Sequence, residues 1–145
     1  MSTLLSTDPA IERIALGVID RTLPKGDWTH EAQFAAALWL LRNHSKLTRP
    51  AAIRALITGY NEATKTPNTD SSGYHHTITL ASMKAARHHL ASYPAEAPLH
   101  AVLSSLMMSE LGKSDWLLAH WSRDVLFSVA ARRRWVEPDI SPLPF

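Results

Sequence analysis

Apolar positions recur at helical spacing along most of this chain, and polar breaks cut the pattern into separate runs. Ile11, Ile14, Ala15, Val18 and Ile19 fall on one stripe. Thr7 precedes Asp8-Pro9, an N-cap followed by proline in the first turn, so a first helix is predicted to about Arg21, before the break "LPKGD". Thr29 or Asp27 caps a second helix, in which His30, Phe34, Ala37, Leu38 and Leu41 share a face and Glu31 sits in the first turn. It ends near Asn43-His44. Thr48 caps a third helix, with Pro50 in its first turn and Ile53, Leu56, Ile57 and Tyr60 facing inward. A polar loop follows, and a fourth helix begins between Ser72 and His75 and runs to about Ser92, before Pro94. The fifth runs from about Pro98 to Leu111, where Gly112 is placed to end it. Ser114 caps a sixth, "DWLLAHWSRD", and Ser128 a last short one, "VAARRRWV". The tail "EPDISPLPF" holds three prolines and is expected to lie extended over the surface.

No stretch alternates apolar and polar residues long enough to make a strand. "YHHTITL" has β-branched character but continues without a break into the helical "ASMKAARHHL". The expected architecture is all-α: a compact single-domain bundle of six or seven helices over residues 1–145, with an extended Pro-rich C-terminal tail.

Composition narrows the function classes more than the fold. A chain of 145 residues suggests one domain and buries roughly 68–70% of its unfolded surface, so it needs no metal or disulfide merely to fold. With 46% apolar and 19% charged residues, it is an ordinary globular sequence. There is no cysteine, which removes disulfides, thiol catalysis and Cys-ligated zinc. The longest apolar run, Phe34 to Leu41, is too short for a bilayer span of about 20 residues, and the N-terminus lacks a signal-peptide pattern. A cytoplasmic location without a membrane partner is the expectation. A net charge of +2 is too small to imply nucleic acid, and Arg132-Arg133-Arg134 read as cations near a helix C-terminus.

Candidate chemistry rests on eight histidines. In an antiparallel bundle, the start of helix two, the end of helix three and the start of helix four lie together. That end would gather His30, Tyr60, Asn61, Asp70, His75 and His76. Thr79 and Ser82, on the His75 face of helix four, carry hydroxyls and leave room for a ligand or for close helix approach. His30 and His75 are the best pair for proton transfer or metal binding, and His76, Asp70 or His120 could complete a ligand set. Zinc, or iron held by two histidines and a carboxylate, would suit such a set. Tyr60, Asn61, Asp70, His76, Thr79 and Arg123 are candidates for holding a small polar substrate. The alternatives are structural. A lone inward histidine usually bonds a backbone carbonyl or a tyrosine hydroxyl. Adjacent histidines on a helix point about 100° apart. "PNTDSSG" has ordinary turn chemistry. Trp116, His120, Trp121 and Arg123 form core aromatics with a polar edge, or an aromatic wall with Arg123 or Arg133 holding an acidic group. No phosphate loop and no nucleophile elbow are present.

At "WTHEAQ", "YNEATKTPNTDSSGYHHTIT" and "LFSVAARRRWVEPDISPLPF" the chain resembles an uncharacterised family of small bacterial all-helical proteins. The shared pattern is W-T-H, Y-N, P-N-T, G-Y-H-x-T-x-T and W-V-x-P-D, covering Trp28 to the C-terminus. Related sequences carry a histidine near Gln33 and a glutamate near His76, and this chain departs from them at both. The resemblance implies which residues to watch and brings no reaction with it. Three functions stay open: a small metal-dependent or acid-base enzyme, a ligand-binding or regulatory module, and a helical protein that forms a homodimer.

Overall fold

A helix that is apolar on every side must be buried on every side. "FAAALWLL" belongs to such a helix, α2 (His30–Asn43), and in the computed structural model, which describes residues 5–145, Ala32 and every residue from Phe34 to Leu40 are buried. Around α2 pack α1 (Asp8–Ile19), α4 (His76–Leu90) and α5 (Leu99–Met108). α3 (Pro50–Ala63) lies against α1, while the short α7 (Val129–Arg133) packs on α4 and carries the short α6 (Arg123–Leu126) beside it. The architecture is all-helical, with seven α-helices and no strand among the described residues. None of these helices is long and apolar enough to cross a membrane. The core extends into the C-terminal segment through Trp121 and Leu126, both fully buried.

Most helix starts follow the capping rule. Thr7, Thr29, Ser122 and Ser128 accept from the backbone N–H three residues on and open α1, α2, α6 and α7. α3 differs: its N-cap is Arg49, which offers no side-chain bond, and Pro50 in the first turn has no N–H to satisfy. Thr48, expected as the cap, sits in a short 3-10 turn and donates to the Ser45 carbonyl. α5 stops at Met108, earlier than expected, because extended Ser109 caps a separate 3-10 turn that contains Gly112.

The expected sixth helix over "DWLLAHWSRD" is broken. Trp116–Ala119 form one 3-10 turn, and a new helix starts at Arg123. The tail is the cause. Asp139 accepts the Ser122 N–H at 2.8 Å, and the His120 carbonyl accepts from the N–H groups of Ile140 and Ser141. These bonds engage the groups that would continue the helix, and they hold the proline-rich tail onto the surface.

Candidate functional site

The connection between α3 and α4 is an ordered loop built on one asparagine. Asn68 Oδ1 accepts from Asn61 Nδ2 at 3.0 Å and from the Tyr74 N–H at 3.0 Å, and its Nδ2 donates to the Thr58 carbonyl. Thr69 caps the following turn by accepting from the N–H groups of Ser71 and Ser72. Gly73 then takes φ +79°, and a Cβ there would fall 2.3 Å from the Pro67 carbonyl oxygen, so only glycine closes this turn. The C-terminal arginines clamp the outside. Arg133 binds Asp70 through two bonds of 2.8 and 2.7 Å, and Arg132 donates to the carbonyls of Gly73 and Tyr74.

The polar side chains that the helix order gathers here are joined to the protein itself. Tyr60 is fully buried and its hydroxyl donates to the Leu23 carbonyl at 2.9 Å. Asn61 accepts from Lys25 Nζ at 2.9 Å, and the same ammonium lies 5.2 Å from the Tyr60 ring centroid. His75 is the N-cap of α4: Nδ1 accepts from the Ile78 N–H at 3.1 Å, and Nε2 donates to the Leu126 carbonyl at 2.7 Å. Burial lowers its pKa, as does the positive charge of Arg132, while the bond to Leu126 pulls in the other direction. His76 is buried beside it and receives the Tyr74 hydroxyl on Nδ1 at 2.6 Å. Burial also lowers the His76 pKa, helped by Arg54 and His75, and it raises Tyr74 to about 12. Both groups are thus neutral near pH 7, with the phenol as donor.

The remaining candidates lie elsewhere. His30 Nε2 donates to the Leu111 carbonyl at 2.9 Å, and its ring packs edge-on against Phe34. His120 Nδ1 bonds the Ser141 carbonyl at 3.2 Å, in the tail. Arg123 is exposed in the first turn of α6. Among the described residues no group of three or more histidine, aspartate and glutamate side chains could hold a metal ion. His30, His75 and His120 therefore do not form the expected zinc or iron set. Each reaches a different main-chain carbonyl, and those carbonyls belong to three separate segments.

A separate cleft lies among the first four helices, and no histidine lines it. α1, α2, α3 and α4 line a partly open space of about 70 Å³, walled by Ala15, Val18, Ala36, Ala37, Leu40, Ile53 and Met83. Half-buried Trp28, Leu56, Ile57 and Ile78 form its lip. Three polar residues border this space: exposed Gln33 at its mouth, and half-buried Thr79 and Ser82. Thr79 donates to the His75 carbonyl at 2.7 Å, which leaves its oxygen able to accept. Gln33 and Ser82 form no side-chain hydrogen bond with any described residue. Thr79 and Ser82 were visible in the sequence as hydroxyls on one helical face. Gln33 was not, because it comes from α2 and shares the cleft only through packing. The small side chains of Ala15, Ala36 and Ala37 were the available signal that helices here leave space between them.

No family model matches the chain, and no curated protein or solved structure matches it.

Proposed function

We propose that this protein is a small-molecule-binding module whose ligand is aliphatic, with one neutral polar head such as an amide or a hydroxyl. The carrying observation is the cleft between α1, α2, α3 and α4: a nearly apolar wall with Gln33, Thr79 and Ser82 converging on it. Ligand sites commonly take this form, with a hydrophobic lining and a few polar groups that fix orientation. The volume of this cleft is less than half of the roughly 150 Å³ that accommodates benzene in an engineered cavity. A short alkyl chain fits it better than a ring, with the polar head toward Gln33. No cation lines the cleft, so a neutral head is favoured over a carboxylate. Catalysis through His30 and His75 has less support, since His75 uses both ring nitrogens on backbone groups and His30 uses one. We place the activity in the cytoplasm, in keeping with a cysteine-free chain.

Titration with butyramide and hexanamide, followed by amide chemical shifts, tests the reading. Saturable shifts centred on Ala36, Ile78 and Ser82 are expected, and Ser82→Leu should abolish them with the fold retained. Shifts that never saturate, or that persist in Ser82→Leu, would refute it.

A further inference from the structure

On the outer side of α4, Leu80, Lys84 and Arg87 follow at helical spacing and face a groove of about 290 Å³. Pro50, Met83 and Trp135 complete its apolar lining. A second groove of about 240 Å³ shares Lys84 and Trp135 and continues along the tail to Phe145. Trp135 is held in place. It packs edge-to-face on buried Trp121, with centroids 5.7 Å apart at 88°, and its indole N–H donates to Glu137 Oε2 at 2.5 Å. Lys84 Nζ lies 5.6 Å from the Trp135 ring centroid. Among the described residues neither Lys84 nor Arg87 has a carboxylate partner.

We propose that this groove is a second binding site, for a small organic anion with a flat aromatic body. The body rests on Trp135, Met83, Leu80 and Pro50, and the anionic group sits between Lys84 and Arg87. Two features favour this class. The half-buried indole of Trp135, fixed by Trp121 and Glu137, offers a planar apolar surface that suits an aromatic ring. Two cations one turn apart, neither with a carboxylate partner among the described residues, supply charge that an acidic group complements. Nucleic acid fits less well. The net charge is only +2, and Arg132 and Arg133 are already engaged with the α3–α4 loop, so no basic stripe extends from the groove. The groove's volume is near the lower end for small-molecule sites, about 300 Å³.

The test compares two probes with the same rings: anilinonaphthalene sulfonate, which is an anion, and the neutral N-phenylnaphthylamine. The sulfonate should bind saturably with enhanced fluorescence. The double substitution Lys84→Gln and Arg87→Gln should weaken it at least tenfold and leave the neutral probe's affinity unchanged. Both side chains are exposed, so near-UV circular dichroism should match the unsubstituted protein. Ser82→Leu, which fills the central cleft, should not affect sulfonate binding. Equal sulfonate affinity in the double variant, or its loss in Ser82→Leu, would overturn the assignment. Amide binding in the central cleft is measured separately, so either site can fail without the other.

Discussion

His75→Ala examines the reassignment of a candidate catalytic residue as a structural strut. Truncation removes the acceptor for the Ile78 N–H, a cap worth about 1 kcal/mol. It also leaves the carbonyl of buried Leu126 without its partner, a loss of roughly 1–3 kcal/mol. The expected cost is about 2–4 kcal/mol, or very roughly 4–16 °C in Tm for a chain of about this length. His75→Asn separates the two bonds. Asparagine is a good cap but is too short to reach Leu126, so it should recover about 1 kcal/mol of the loss. Urea unfolding followed by circular dichroism reads both variants. Acid should add a second signature. Because burial lowers the folded-state pKa of His75, the unfolded chain takes up the proton first, below the ordinary value near 6.5. Stability is therefore complete above that pH and falls as pH drops below it, by at most about 1.4 kcal/mol per pH unit for one proton. His76 and His89, whose pKa values burial also lowers, act in the same direction. His75→Asn should flatten the acid slope without removing it. A cost below about 0.5 kcal/mol for His75→Ala, with an unchanged acid slope in His75→Asn, would refute the strut.

Thr77→Val preserves shape but removes the hydroxyl that donates to the Arg134 carbonyl at 2.8 Å and accepts from the Val136 N–H at 3.2 Å. Thermal unfolding should show a loss of about 1–3 kcal/mol: Thr77 is fully buried, but Arg134 is exposed and Val136 half-buried, so water can replace part of the lost bonding. Gly73→Ala should lower stability by at least about 1–2 kcal/mol, because the residue is left-handed and the added methyl meets the Pro67 carbonyl; hydrogen exchange should quicken first at Tyr74, whose N–H bonds Asn68. Tyr60→Phe leaves the Leu23 carbonyl without the phenol and should cost about 1–2 kcal/mol in denaturant unfolding. Elemental analysis of protein purified without chelator or nickel resin tests the metal reading directly: the reassignment of His30 and His75 predicts no stoichiometric zinc or iron, and a bound metal lost in His30→Ala and His75→Ala would reverse it.

What the chain determined by itself was local. The stripe from Ile11 to Ile19, the all-apolar run of α2 and the caps at Thr7, Thr29 and Ser128 specify helices through interactions within a few residues, so they can be read along the sequence. Thr79 and Ser82 could likewise be placed on one face, because helical spacing alone decides it. Tertiary structure decided what those faces meet. Residues 115–124 have helical patterning, yet Asp139 and the N–H groups of Ile140 and Ser141 engage Ser122 and His120 and break the run. His75 and His30 have the chemistry of ligands, but carbonyls from Leu126 and Leu111, 51 and 81 residues away, take their Nε2 atoms. Gln33 joins Thr79 and Ser82 only because α2 and α4 pack with small side chains between them. A histidine's role depends on which partner folding brings to each nitrogen, and that partner lies far along the chain.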